Sequence, residues 1–182
     1  MVAGKVETRI NRVLHSVSDS DTMFREVVMK LFLVQHGKQN PKEKDPEKGL
    51  SEKGTSDVQR VAAFVSPHII HVSALWHSGK KRAAQSAEIL ARSISCRDGV
   101  LTREGLSPLD PIEPIFDAIG GRSDDLMIVG HLPFLSKLLS RLVTGSETPE
   151  VVAFQQGGIV CLERDTQGLW RIRWMVFPDL LP

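Results

Sequence analysis

The chain has 182 residues, of which 41% are hydrophobic and 25% are charged, and its formal net charge at pH 7 is +1. This length fits one domain with a sizeable core, and the composition is that of an ordinary soluble globular protein. The small net charge argues against a general attraction to nucleic acid or to an anionic membrane. Cys96 and Cys161 form no CxxC pattern, so the sequence signals neither a disulfide framework nor a zinc site. We therefore expect a cytoplasmic monomer that binds neither nucleic acid nor membrane.

Residues 1–28 differ from the rest, because charged and hydroxyl side chains are mixed there with scattered apolar residues in no regular period. They contain no continuous apolar segment of the kind found in a secretory signal or a membrane span. We predict a poorly ordered N-terminal extension over residues 1–28 and a single domain over residues 29–182. The alternative is that Met29 is the true start, since codons for residues 25–28 can resemble a bacterial ribosome-binding site.

The first motif is the apolar run at residues 31–34, which predicts a strand buried on both faces of a parallel sheet. The run ends at Gln35, His36 and Gly37. Glycine allows a ligand to approach the backbone closely, and α/β proteins usually bind ligands at the carboxyl ends of buried strands. His36 is therefore the leading candidate for a reactive residue. The alternative is a hydrogen-bonded structural histidine.

The following segments predict alternating helices and strands. Ser51 is predicted to cap a helix that ends near Val65 and has one apolar face: Val58, Val61, Ala62 and Val65. Residues 69–76 predict a second strand, and Ser78 is predicted to cap a helix over residues 80–93. The first turn of that helix holds three cations: Lys80, Lys81 and Arg82. Cations there oppose the helix dipole unless an anion lies nearby, and they could form a phosphate site. A solvated basic patch is the alternative that we favour for the two lysines.

The second half of the chain repeats the strand-histidine pattern. Asp110, Pro111 and Glu113 predict a helix start, with capping as the role of both carboxylates. Residues 126–129 form another apolar run, which is followed by Gly130 and His131. Neighbouring parallel strands would bring His36, His131 and Arg82 to the same edge of a sheet.

The chain ends with two segments, residues 159–163 and 170–176, that predict a β-hairpin. We therefore predict an α/β fold, a three-layer sandwich with a mostly parallel central sheet and an antiparallel edge strand.

Five motifs together resemble the histidine phosphatase superfamily, which has a phosphoglycerate mutase-like fold, and within it the small SixA-type phosphohistidine phosphatases. The motifs occupy residues 33–37, 49–54, 77–90, 106–111 and 129–133. The resemblance implies that His36 is the nucleophile, that Arg82 grips the phosphoryl oxygens, and that His131 helps to stabilise them. It also implies a phosphohistidine intermediate, a phosphohistidine-bearing protein as substrate, and no cofactor or metal.

The sequence departs from the family pattern in two respects. Gln35 stands where the family has an arginine, and a glutamine supplies neither charge nor a bidentate fork. Lys38 is predicted to return some of that charge, with a solvated loop lysine as the alternative. No residue matches the acid that protonates an alkoxide leaving group; Asp110 is the only near candidate. The alternatives to a phosphohistidine phosphatase are thus a small-molecule phosphomonoesterase and a phosphate-binding module without turnover.

Overall fold

A computed structural model of the chain describes residues 27–69 and 71–182. Residues 1–26 of the predicted extension lie outside the described residues. Val27 and Val28 open the first strand, so this strand begins before the boundary predicted at residue 29. In the described part of the chain, no helix combines the length and the hydropathy that crossing a membrane requires.

The elements alternate between strands and helices over most of the chain. The strands are β1 Val27–Gln35, β2 His71–Val72, β3 Ala74–His77, β4 Ser95–Cys96, β5 Val100–Thr102, β6 Leu126–Gly130, β7 Ile159–Asp165 and β8 Trp170–Val176. The α-helices are α1 Glu52–Val65, α2 Lys81–Ala91, α3 Glu113–Gly120 and α4 Phe134–Thr144, and a 3₁₀ turn covers Pro178–Leu180.

The main sheet has six strands in the order β5-β3-β6-β1-β7-β8. Strands β5, β3, β6 and β1 are parallel to one another, whereas β7 is antiparallel to both β1 and β8. Strands β2 and β4 form a separate pair. The predicted fold class is confirmed, and the antiparallel edge consists of the two strands of the predicted hairpin.

Two apolar cores, one on each face of the sheet, make the domain a three-layer sandwich. Successive side chains of a strand point to opposite faces, so Leu31 and Leu33 of β1 join one core, and Phe32 and Val34 join the other. Helices α3 and α4 cover the first face, and α1 and α2 cover the second. Strands β1, β3 and β6 are therefore held between two buried layers.

Helix α1 begins as the sequence predicts. The Ser51 hydroxyl accepts a hydrogen bond from the Gly54 N–H at 3.0 Å, and the predicted apolar face is buried. This cap satisfies one of the N–H groups that have no partner within the helix.

Two other predicted helix starts and one strand need correction. Helix α3 begins at Glu113 with Ile112 as N-cap, so the capping role predicted for Asp110 is wrong. The Asp110 carboxylate instead accepts the Ser107 N–H at 2.7 Å and closes the preceding turn, a local bond that competes with helix capping.

Helix α2 has Lys80, not Ser78, as its N-cap. The strand predicted over residues 69–76 is divided at Ser73.

We predict that Gly37→Ala destabilises the domain, because the backbone at Gly37 touches α1. A Cβ atom at Gly37 would lie 2.7 Å from the Gly54 carbonyl oxygen and 2.8 Å from Val58 Cγ2. Overpacking of this kind costs ~1–3 kcal/mol of unfolding free energy, measurable by urea denaturation. The matched control is Gly120→Ala, since a Cβ there meets no atom within 4 Å. Equal stability of the two variants would contradict the close approach.

Candidate active site

His36 follows the last residue of β1, and its side chain is buried with 6% exposure. Its Nδ1 lies 2.7 Å from the carbonyl oxygen of Gly37. A carbonyl oxygen only accepts, so Nδ1 carries the proton and Nε2 keeps its lone pair. The Nε–H of Arg82 donates to that Nε2 at 3.1 Å. The imidazole is therefore held with its basic nitrogen toward a guanidinium.

One hydroxyl joins the backbone next to His36 to the helix that carries Arg82. Ser86 is fully buried; its Oγ accepts the Gly37 N–H at 3.0 Å and donates to the Arg82 carbonyl oxygen at 2.8 Å. No role of Ser86 was predicted from the sequence. The available signal was its position four residues after Arg82, which places both on one face of α2.

His131 follows β6, the parallel neighbour of β1. The two strand ends are joined by the His36 N–H, which donates to the Gly130 carbonyl oxygen at 3.2 Å. The ring centroids of His36 and His131 are 4.7 Å apart. The structure thus brings His36, Arg82 and His131 together, as the sequence predicts.

The Ser78 hydroxyl is part of this cluster, a role that the helix cap predicted for Ser78 did not include. Its Oγ lies 2.6 Å from Nε2 of His131. The cause is Gly79, whose φ of 77° turns the chain so that α2 begins only at Lys81. The other ring nitrogen of His131, Nδ1, is buried and has no hydrogen-bond partner in the described part of the chain.

Both histidines are neutral at physiological pH. Burial, with a further contribution from the Arg82 charge, lowers the pKa of His36 to about 4, against the hydrogen bond to Gly37. Burial lowers the pKa of His131 to about 3, and protonated His36, Arg82 and Lys80 act in the same direction. Neutral imidazole is the form that a nucleophile requires.

Gln35 and Lys38 are not joined to this cluster by their side chains. Gln35 is buried, and its Oε1 has no hydrogen-bond partner among the described residues. Lys38 is exposed and borders a cavity of about 340 Å³ that Lys53, Asp57 and Gln155 also line. Within residues 27–69 and 71–182, no hydrogen bond or ion pair links the Lys38 side chain to His36, Arg82 or His131.

No metal site accompanies the cluster in the described segments, where no three His, Cys, Asp or Glu side chains are arranged to hold an ion. The chemistry that the arrangement can perform is that of neutral imidazole beside a fixed guanidinium: nucleophilic attack on an anionic, oxygen-rich centre.

The sequence matches no protein-family model and no curated protein. Solved structures do match. The protein histidine phosphatase SixA, complexed with tungstate, aligns with a TM-score of 0.73 at 18% identity, covering 84% of this chain and 99% of that one. The chain has a phosphoglycerate mutase-like fold.

Two further structures support this assignment of the fold. Phosphoglycerate mutase from Plasmodium falciparum aligns with a TM-score of 0.62 at 16% identity, covering 82% of this chain and 91% of that one. Phosphoserine phosphatase from Entamoeba histolytica, in complex with 3-phosphoglyceric acid, aligns with a TM-score of 0.61 at 14% identity, covering 81% and 96%.

We predict that Ser86→Ala destabilises the protein and loosens the site. The substitution leaves the buried Gly37 N–H without its acceptor, which costs ~1–3 kcal/mol of unfolding free energy. Ser140→Ala is the matched control, because Ser140 is equally buried in α4 and its hydroxyl has no partner among the described residues. Urea denaturation measures both variants. A loss for Ser140→Ala as large as that for Ser86→Ala would show that the bridging bonds contribute nothing.

Proposed function

We propose that this protein is a phosphatase that uses His36 as its nucleophile and removes the phosphoryl group from a phosphohistidine in a protein. The observation that carries the proposal is the state of the His36 ring, with Nδ1 bound to the Gly37 carbonyl oxygen and Nε2 beside the Arg82 guanidinium. The fold shared with SixA and with phosphoglycerate mutase supports it.

In the first step the hydrogen bond of the Arg82 Nε–H passes from His36 Nε2 to a phosphoryl oxygen of the substrate, and the freed Nε2 lone pair attacks phosphorus. The P–N bond of the substrate breaks, its electron pair returns to the leaving imidazole, and that nitrogen takes a proton from solvent. The His36 ring becomes positively charged while it carries the phosphoryl group, and the hydrogen bond from Nδ1–H to Gly37 stabilises that charge.

In the second step water attacks phosphorus and the P–Nε2 bond breaks. The electron pair returns to Nε2, the proton of the water passes to phosphate or solvent, and inorganic phosphate leaves. Arg82 neutralises phosphoryl charge in both steps, because its guanidinium lies against the nitrogen that bonds to phosphorus. The bound dianion favours protonated His131 and therefore raises the pKa of that ring from about 3.

The absence of an assigned acid favours phosphohistidine over a phosphomonoester as substrate. An alkoxide leaving group needs a proton donor, whereas imidazole leaves far more readily. Asp110, the one acid that the sequence places near the pattern, has its carboxylate bound to the Ser107 N–H. A missing general acid costs ~10²–10⁴-fold in rate for a demanding leaving group.

We predict that the wild-type protein hydrolyses a phosphohistidine-bearing protein ~10²–10⁴-fold faster than a phosphoserine peptide, measured as kcat/KM from phosphate release. An aryl phosphate, whose leaving group is also stable, should be hydrolysed as well. His36→Asn should abolish turnover of the phosphohistidine protein and of the aryl phosphate. Asp110→Asn is the control and should keep wild-type activity.

Two results would contradict this proposal. Comparable rates on phosphoserine and phosphohistidine, lost in Asp110→Asn, would indicate a phosphomonoesterase with an acid. Binding of inorganic phosphate without hydrolysis of any of the three substrates would indicate a phosphate-binding module, the alternative that Gln35 keeps open.

A further inference from the structure

The proposed site contains a charge deficit that the surrounding residues must relieve. A phosphoryl group carries up to two negative charges, and Arg82 is the one cation that contacts His36 in the described part of the chain. Gln35 contributes no charge where the resemblance implies an arginine. A partly buried dianion is stabilised poorly by a single cation, because it has lost most of its hydration. A second cation is therefore expected near the two histidines.

Three lysines are close in sequence to the site, and their surroundings distinguish them. Lys38 borders the separate cavity described above. Lys81, in the first turn of α2, is held away by Glu47 at 2.8 Å and Asp45 at 3.5 Å. Lys80 forms no ion pair within residues 27–69 and 71–182, although it is half-buried. Among the described residues, Lys80 is thus a half-buried lysine at the start of α2 whose charge has no ion-pair partner.

The position of Lys80 in the chain places it between the two residues that touch the histidines. It is the N-cap of α2. Ser78, two residues earlier, contacts His131 at 2.6 Å, and Arg82, two residues later, contacts His36 at 3.1 Å. The positive charge of Lys80 is also one of the smaller causes that lower the pKa of His131.

Among the described residues, the Lys80 side chain makes no hydrogen bond or ion pair that would offset the cost of its position. A cation at the start of a helix opposes the helix dipole, and the N-cap makes no side-chain hydrogen bond to the first turn. Lys80 also adds positive charge close to Arg82. These costs are reversed when an anion lies between Lys80, Arg82 and the two histidines.

We propose that Lys80 binds the phosphoryl oxygens from the His131 side and supplies the positive charge that Gln35 lacks. This inference rests on the proposed function, because it concerns the same site. It assigns the compensation predicted for Lys38 to a different lysine. The ligand class is a phosphoryl dianion, whether on the substrate or as the inorganic phosphate product.

The test compares Lys80→Gln with Lys81→Gln, a matched control one residue away whose charge is already paired. Binding of inorganic phosphate to each full-length variant is measured by calorimetry, and kcat/KM on the phosphohistidine protein is measured separately. Lys80→Gln should weaken phosphate binding about 10- to 100-fold, the range expected for one charge-assisted hydrogen bond. Lys81→Gln should stay within about 2-fold. Lys80→Arg should retain most of the affinity.

A double-mutant cycle with Gln35→Arg tests the compensation itself. In the Lys80→Gln background, Gln35→Arg should recover most of the lost phosphate affinity, whereas in the wild-type background it should add less, because the charge is already present. Folding of each variant is checked by thermal denaturation, and Lys80→Met serves as a second uncharged variant if Lys80→Gln does not fold. Independent, additive effects of the two positions would overturn the proposal.

The outcomes separate this inference from the proposed function. Phosphohistidine turnover with no difference between Lys80→Gln and Lys81→Gln would overturn the role of Lys80 alone. Phosphate binding that depends on Lys80, without turnover of any substrate, would overturn the proposed phosphatase activity and would support the proposed role of Lys80 in binding phosphate. No phosphate binding by the wild type would overturn both.

Discussion

The hydrogen bond from His36 Nδ1 to the carbonyl oxygen of Gly37, 2.7 Å long, fixes which ring nitrogen keeps its lone pair. The backbone at Gly37 packs so closely against α1 that a Cβ atom there would lie 2.7 Å from the Gly54 carbonyl oxygen. The other ring nitrogen of His36, Nε2, lies beside Arg82. A carbonyl group at a strand end that packs closely against a helix thus determines the tautomer of the candidate nucleophile.

Backbone bonds and one hydroxyl hold this geometry from several sides. The His36 N–H is bound by Gly130 of the neighbouring strand, and the His36 carbonyl oxygen accepts the Gly157 N–H at 3.2 Å. Ser86 links the backbone at Gly37 to the backbone of Arg82 in α2 through two hydrogen bonds. A site fixed mainly by backbone groups is pre-organised, which is what phosphoryl transfer requires when electrostatic stabilisation does most of the catalysis.

The strands and the convergence of His36, Arg82 and His131 were predictable, because buried parallel strands have continuous apolar runs and their carboxyl ends meet at one edge. The roles of Ser78 and Asp110 were not. A serine or aspartate before a helix can bond to the first turn or to another partner, and Ser78 contacts His131 while Asp110 closes a local turn. That choice depends on where α2 and α3 begin, and their starts differ from the predicted ones by one or two residues.

Chemical trapping of the phosphoenzyme tests most directly whether His36 is the nucleophile. The wild-type protein is mixed with an isotopically labelled phosphohistidine protein, quenched in alkali within its first turnover, digested, and mapped by mass spectrometry. We predict an alkali-stable, acid-labile phosphoryl group on His36, with none on that peptide in His36→Asn. A label on any other residue of the chain, or phosphate release from the wild type with no trapped phosphoenzyme, would contradict the account.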